Sequence, residues 1–202
     1  MASGRITASQ LDDGVRPILE MKIRLGLFER PFVDESKVDS VLNRQSSREL
    51  ERKLAARSMV LLRNQNHTLP LTTSLKKVAL IGPLANSATD MEGGWTVEGL
   101  FGGGPKSHVV TVEEGLKNKL GADAQITVVS GPALRRDYPS PIDALLGKKP
   151  TPVPTPAEVE ESLHRAVDAA KQSDIVIAVM GEASDMSGEA ASRATLNLPG
   201  NL

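Results

Sequence analysis

Asp174-Ile175-Val176-Ile177-Ala178-Val179-Met180 is the stretch whose reading decides the fold. Residues 175–179 are apolar at every position, so a strand built from them suits water on neither face. Parallel strands covered by helices carry this pattern, whereas half-solvated antiparallel strands alternate. The stretch therefore predicts a central parallel strand. Just upstream, Thr155-Pro156-Ala157-Glu158 combines a capping Thr, a Pro at the first helical position and a Glu three residues after the cap. Such a start satisfies free amide donors and pre-sets the first φ. Its helix is expected to reach about residue 172.

Further out, Val78-Ala79-Leu80-Ile81 reads as a first strand ended by Gly82-Pro83, and residues 126–129 as a second. Thr111 and Glu114 have capping-box spacing and open a helix over about 112–120, with Gly121 as its cap. The order strand, helix, strand, helix, strand predicts an α/β fold. Its sheet is partial and mostly parallel, of about three strands, flanked by helices with right-handed crossovers. A central-type strand wants neighbours on both sides, so a truncated domain is expected.

The amino-terminal part reads as helical. Val15, Ile18, Leu19 and Ile23 fall at helical spacing within 11–25, with Gly26 as a left-handed cap. Pro17 places the regular part from about Arg16, with Pro17 at the first helical position. This helix has no partner in the scheme and reads as the tail of something upstream. A second helix is expected over about 47–63, with Ser46 and Glu49 as a capping box. Residues 85–107 and 130–155 read as loops, and alternating Pro150, Pro152, Pro154 and Pro156 favour an extended stretch.

Composition narrows the function. The 202 residues carry 24 Lys and Arg against 25 Asp and Glu, a net charge of −1. A domain built around a nucleic-acid backbone shows a basic excess, so no nucleic-acid partner is expected. No apolar run approaches the roughly 20 residues of a membrane span, so no membrane partner is expected either. There is no Cys, which excludes disulfides and thiolate catalysis. His67, His108 and His164 are scattered, so a His-built metal site is not expected, and no cofactor is expected. Residues 1–10 lack the apolar core of a signal peptide.

The chemistry-bearing candidates cluster after the third strand, in Gly181-Glu182-Ala183-Ser184-Asp185-Met186-Ser187-Gly188-Glu189-Ala190-Ala191-Ser192-Arg193. Ligands of open α/β sheets sit beyond the carboxyl ends of strands. Glu182, Asp185, Glu189 and Arg193 are thus placed for work on a polar ligand; the competing reading is a solvated acidic loop. Gly104-Pro105-Lys106-Ser107 invites a phosphate-loop reading. Pro105 removes an amide from the cradle, and that reading is rejected. Trp95, the one Trp, lies between glycines and polar residues. It suits a platform for the apolar face of a sugar or, equally, a buried anchor.

The order of these segments resembles the second domain of family 3 glycoside hydrolases, chiefly bacterial β-glucosidases. Leu25-Gly26-Leu27-Phe28-Glu29-Arg30-Pro31 is similar to the exit from that family's catalytic barrel. Ala56-Arg57-Ser58-Met59-Val60-Leu61-Leu62-Arg63-Asn64 with Leu69-Pro70-Leu71 resembles the opening of its second domain. The first strand with Gly82-Pro83-Leu84-Ala85, then Gly93-Gly94-Trp95, Val110-Thr111-Val112 and Ser173-Asp174 follow in family order. The loop 181–193 and Leu198-Pro199-Gly200 complete the likeness.

The resemblance implies residues 1–33 as the last barrel helix and linker, and 34–202 as an incomplete α/β domain. It implies an exo-acting retaining β-glucosidase that hydrolyses terminal non-reducing β-D-glucosyl residues with two carboxylates about 5–5.5 Å apart. Glu189 matches the general acid/base. Glu182 competes, but directly after the strand and Gly181 it better suits orienting the backbone, and Arg193 supports the loop behind Glu189. Trp95 matches a substrate-binding position, and Gly99 stands where plant-type relatives carry a second Trp. The family's nucleophile lies on the barrel in Ser-Asp-Trp, which is absent here, so the isolated chain is expected to be inactive. The implied partners are a β-glucoside or oligosaccharide, the missing barrel and, through an open sheet edge, another copy of the chain. Full-length relatives are often periplasmic or secreted. The alternatives are a non-catalytic carbohydrate-binding or regulatory α/β module and, against the broken phosphate loop, a nucleotide-binding one.

Overall fold

Val78, Ala79 and Leu80 have no solvent-accessible surface, and the sheet is built around them. In the computed structural model the described residues are 5–42, 44–96, 109–131, 134, 145, 147, 149, 152–186, 191 and 193–199. They fall into two compact units, Met1–Leu61 and Leu62–Leu202.

The first unit is helical. Helix α1 (Ala8–Arg24) starts at Thr7, whose hydroxyl accepts from the Gln10 amide while the Gln10 side chain accepts from the Thr7 amide. Pro17 lies inside α1, which corrects the expected start near Arg16. The Thr7–Gln10 box nucleates the helix ten residues upstream of Pro17, and Pro17 forfeits one interior amide without ending it. Gly26 closes α1 at φ +67°, with the Leu27 amide donating to the Lys22 carbonyl. Helix α2 (Val38–Leu42) follows a 3-10 turn at Glu35–Lys37. Helix α3 (Gln45–Ser58) begins earlier and ends sooner than expected. The Ser46 capping box is not formed: Arg44 is the capping residue, and Glu49 accepts from the Gln45 side chain at 2.9 Å. Residues 59–62 lie beyond the helix, and Met59, its capping residue, has extended backbone.

The second unit holds the sheet. Strands β1 (Lys77–Ile81), β2 (Gln125–Val129) and β3 (Ile175–Ala178) are all parallel, in the order β2-β1-β3. Lys77 pairs with Gln125 and Ile81 with Val129 on one side; Val78 pairs with Ile175 and Ile81 with Ala178 on the other. Among the described residues β1, and not β3, is the central strand. Its three consecutive buried residues face covering structure on both sides. In β3, by contrast, half-buried and exposed positions alternate, and Val176 is 42% exposed. Among the described residues the run 175–179 has a strand on one side alone, as expected of a central-type strand in a truncated domain.

Between the strands run α4 (Ala88–Glu92), α5 (Val112–Leu120) and α6 (Pro156–Lys171). The Thr111 hydroxyl accepts from the Glu114 amide, and Gly121 closes α5 at φ +80°. Thr155 and Glu158 form the expected reciprocal box at the start of α6, which packs Ser162 and Ala169 inward and touches β1 and β2. The Asp174 carboxylate accepts the Lys76 and Lys77 amides at 3.1 and 2.9 Å, tying the start of β3 to that of β1. These bonds hold its carboxyl below the ordinary value, the Lys77 amide contributing most.

Candidate active site

The chain leaves β1 to form β2 on one side of it, and later enters β3 on the other side. Where neighbouring strands send their connections in opposite directions, a crevice opens at their carboxyl ends and receives the ligand of an open α/β sheet. In this sheet the carboxyl ends of β1 and β3 lie side by side, at Ile81 and Ala178.

The two strand ends approach closely. The Val179 amide donates to the Ile81 carbonyl at 2.8 Å, and the Gly82 amide to the Val129 carbonyl at 3.0 Å. At Gly82, with φ +111°, a Cβ would lie 2.4 Å from the Val179 carbonyl oxygen, so only glycine fits. The loop after β1 then forms α4 and the turn Gly93-Gly94-Trp95. The loop after β3 forms a 3-10 turn, Ser184–Met186, anchored by Met186 at 2% exposure. Among the described residues the loops meet at Asp90 and at Gly94. The Ser184 amide donates to Asp90 Oδ1 at 2.7 Å, and at Gly94 a Cβ would stand 2.5 Å from the Ser184 carbonyl oxygen.

Each sequence-predicted residue has a definite standing in this frame. Trp95 follows Gly94 and is 66% exposed, so its ring is not packed in the core. Glu182 and Arg193 are brought together: Arg193 Nη1 lies 2.8 Å from Glu182 Oε1, and Arg193 Nη2 donates to the Asn197 carbonyl at 2.6 Å. One guanidinium therefore joins both ends of the segment 182–193. Asp185 lies in the 3-10 turn. Glu189, Gly99 and the 99–107 glycine loop lie outside the described residues.

Sequence reasoning missed Asp90 and α4, having read 85–107 as loop. The signal was present in Ser87-Ala88-Thr89-Asp90: the Ser87 hydroxyl accepts from the Asp90 amide at 3.3 Å, the spacing of a helix start. A groove lined by Lys77, Gln125, Arg165 and Asp168 runs between β2 and α6, and none of the predicted site residues lines it. Among the described residues no cluster of His, Asp and Glu is arranged to hold a metal.

The parallel sheet flanked by helices is shared with known proteins. A family model described as the glycosyl hydrolase family 3 C-terminal domain matches residues 59–202. The chain belongs to glycosyl hydrolase family 3. A periplasmic beta-glucosidase of Salmonella typhimurium is 34% identical over 98% of this chain, and a beta-xylosidase of Formosa agariphila 32% identical over 94%. The chain spans 26% and 23% of the length of those two relatives. Among solved structures, a β-glucosidase involved in saponin metabolism from intestinal bacteria superposes with a TM-score of 0.74 at 29% identity. It covers 98% of this chain and 27% of its own. The Listeria innocua β-glucosidase in complex with isofagomine gives 0.68 at 29% identity, covering 98% and 24%. The family 3 chain is thus similar to glycoside hydrolases of β-glucosidase and β-xylosidase type. None of its described helices is long and apolar enough to cross a membrane.

Proposed function

We propose that this family 3 chain is the acid/base-bearing part of a retaining exo-β-glycosidase that removes terminal β-D-glucosyl residues. The observation that carries the reading is the course of residues 181–186. They leave the carboxyl end of β3 beside that of β1, and Glu189 follows three residues later in the sequence. In the proposed reaction Glu189 protonates the departing oxygen. As a carboxylate it then takes a proton from the water that attacks the glycosyl-enzyme. The nucleophilic carboxylate comes from an upstream barrel domain, of which residues 1–33 form the last helix and linker. Residues 34–202 are part of the α/β domain. Glu182 is committed to Arg193 and fastens the loop, and Trp95 offers its exposed ring to the apolar C–H face of a sugar. The relative named as periplasmic supports an exported location for the complete protein.

A second reading, β-xylosidase, is favoured by the Formosa agariphila relative. Nitrophenol release from nitrophenyl β-glucoside and β-xyloside separates the two. The barrel-carrying protein is expected to turn over the glucoside faster and to lose that activity in Glu189→Gln. The isolated chain is expected to release no nitrophenol. Turnover by the isolated chain that Glu189→Gln abolishes would contradict the proposal, because the nucleophile would then lie within these 202 residues.

A further inference from the structure

The loops that follow β1 and β3 are joined by the Asp90 side chain. Asp90 Oδ1 accepts the Ser184 amide at 2.7 Å across 94 residues of sequence, while Asp90 Oδ2 accepts the Ser87 hydroxyl. Helix α4 has five residues, too few to persist alone. The reciprocal Ser87–Asp90 pair closes it and aims the carboxylate. On the other side, the Ser184 carbonyl rests against Gly94 and Met186 is buried. The Ser184 residue is therefore gripped at both its amide and its carbonyl. Trp95 directly follows Gly94, and Glu189 stands three residues after Met186.

We propose that Asp90 is a positioning residue: through Ser184 it sets the acid/base loop against the Trp95 turn, touching neither sugar nor reacting atoms. The proposal rests on the reading of Glu189 as the acid/base. A carboxylate suits this role because a charged acceptor binds an amide more strongly than a neutral one. Gly94 fits the same design, since any side chain there would push the 184–186 turn away.

The test has two arms. In the isolated chain, amide hydrogen exchange is measured for Asp90→Ala and Asp90→Asn. Asp90→Ala is expected to speed exchange at Ser184 by about tenfold or more, the factor that corresponds to losing a hydrogen bond to a charged group. The β1 amides should keep their protection. Asp90→Asn, whose amide oxygen still accepts, should recover most of the Ser184 protection. In the barrel-carrying protein, Asp90→Ala is expected to lower kcat about tenfold for glycosides with poor leaving groups, with KM nearly unchanged. Dinitrophenyl glycosides, which need little acid help, should lose far less in the first step. Unchanged Ser184 exchange, or β1 exchange that rises in parallel, overturns the proposal. So does a flat leaving-group profile in Asp90→Ala beside a steep one in Glu189→Ala. A flat profile in Glu189→Ala overturns the underlying reading instead and removes the positioning claim with it.

Discussion

Arg193 uses one guanidinium for two tasks, pairing with Glu182 and donating to the Asn197 carbonyl. A planar fork of donors does both at once from two nitrogens held in fixed geometry, which a flexible ammonium lacks. The pair is partly solvated, so its loss in Arg193→Ala should cost only about 0–1 kcal/mol of stability. The effect on turnover in the barrel-carrying protein should be larger, about tenfold to 100-fold in kcat, because a loop shift of an ångström carries that penalty. A chemical-denaturation curve beside a kcat measurement checks the contrast; equal small effects in both would refute it. Asp174 is a residue of a different kind. Its folded carboxyl titrates below the ordinary value of 3.8 because the Lys77 and Lys76 amides donate to it. A depressed folded pKa adds stability that is complete above the unfolded value and vanishes as pH falls through the folded one. Wild type should therefore lose its advantage over Asp174→Asn below about pH 4, with a constant difference above it, in denaturation series across pH. At this scale the sequence named Glu182 and Arg193 but not their pairing, because a charge partner eleven residues away depends on where the loop folds. Asp90 escaped because its partner, Ser184, is 94 residues distant.

Elements with local chemistry at their ends were the ones that could be read beforehand. Thr155, Pro156 and Glu158 mark the start of α6, Thr111 that of α5, and Gly26 and Gly121 close their helices, since each signal acts within four residues. Ser46 misled because the same spacing can be outcompeted when a helix starts two residues earlier. Strand existence was plain from apolar runs, but strand order was not. Residues 78–81 and 175–179 are equally apolar, and only the pairing decides which is central. Burial then says where packing matters most. Leu80 is fully enclosed in β1, so Leu80→Ala should cost about 2–5 kcal/mol. Val176→Ala in β3, at a position 42% exposed, should cost well under half of that. Urea denaturation of both variants checks the ranking; a Val176 variant that is as damaging as the Leu80 variant would place the packing centre elsewhere.

In the whole molecule, among the described residues, β3 pairs only with β1 and its outer edge carries no strand. An unpaired edge of apolar residues recruits other strands. The isolated chain should therefore associate as its concentration rises, and sedimentation velocity over a hundredfold dilution should show it; a concentration-independent monomer would not fit. The central claim is the proposed acid/base role of Glu189 in a barrel-carrying protein. Its most direct measurement is turnover of dinitrophenyl β-glucoside by Glu189→Ala and Glu182→Ala in the barrel-carrying protein, with and without azide. With Glu189→Ala the first step should stay fast, glycosyl-enzyme should accumulate, and azide, which needs no base, should restore turnover by attacking it. Azide rescue in Glu182→Ala, with none in Glu189→Ala, would contradict the account and move the acid/base to Glu182.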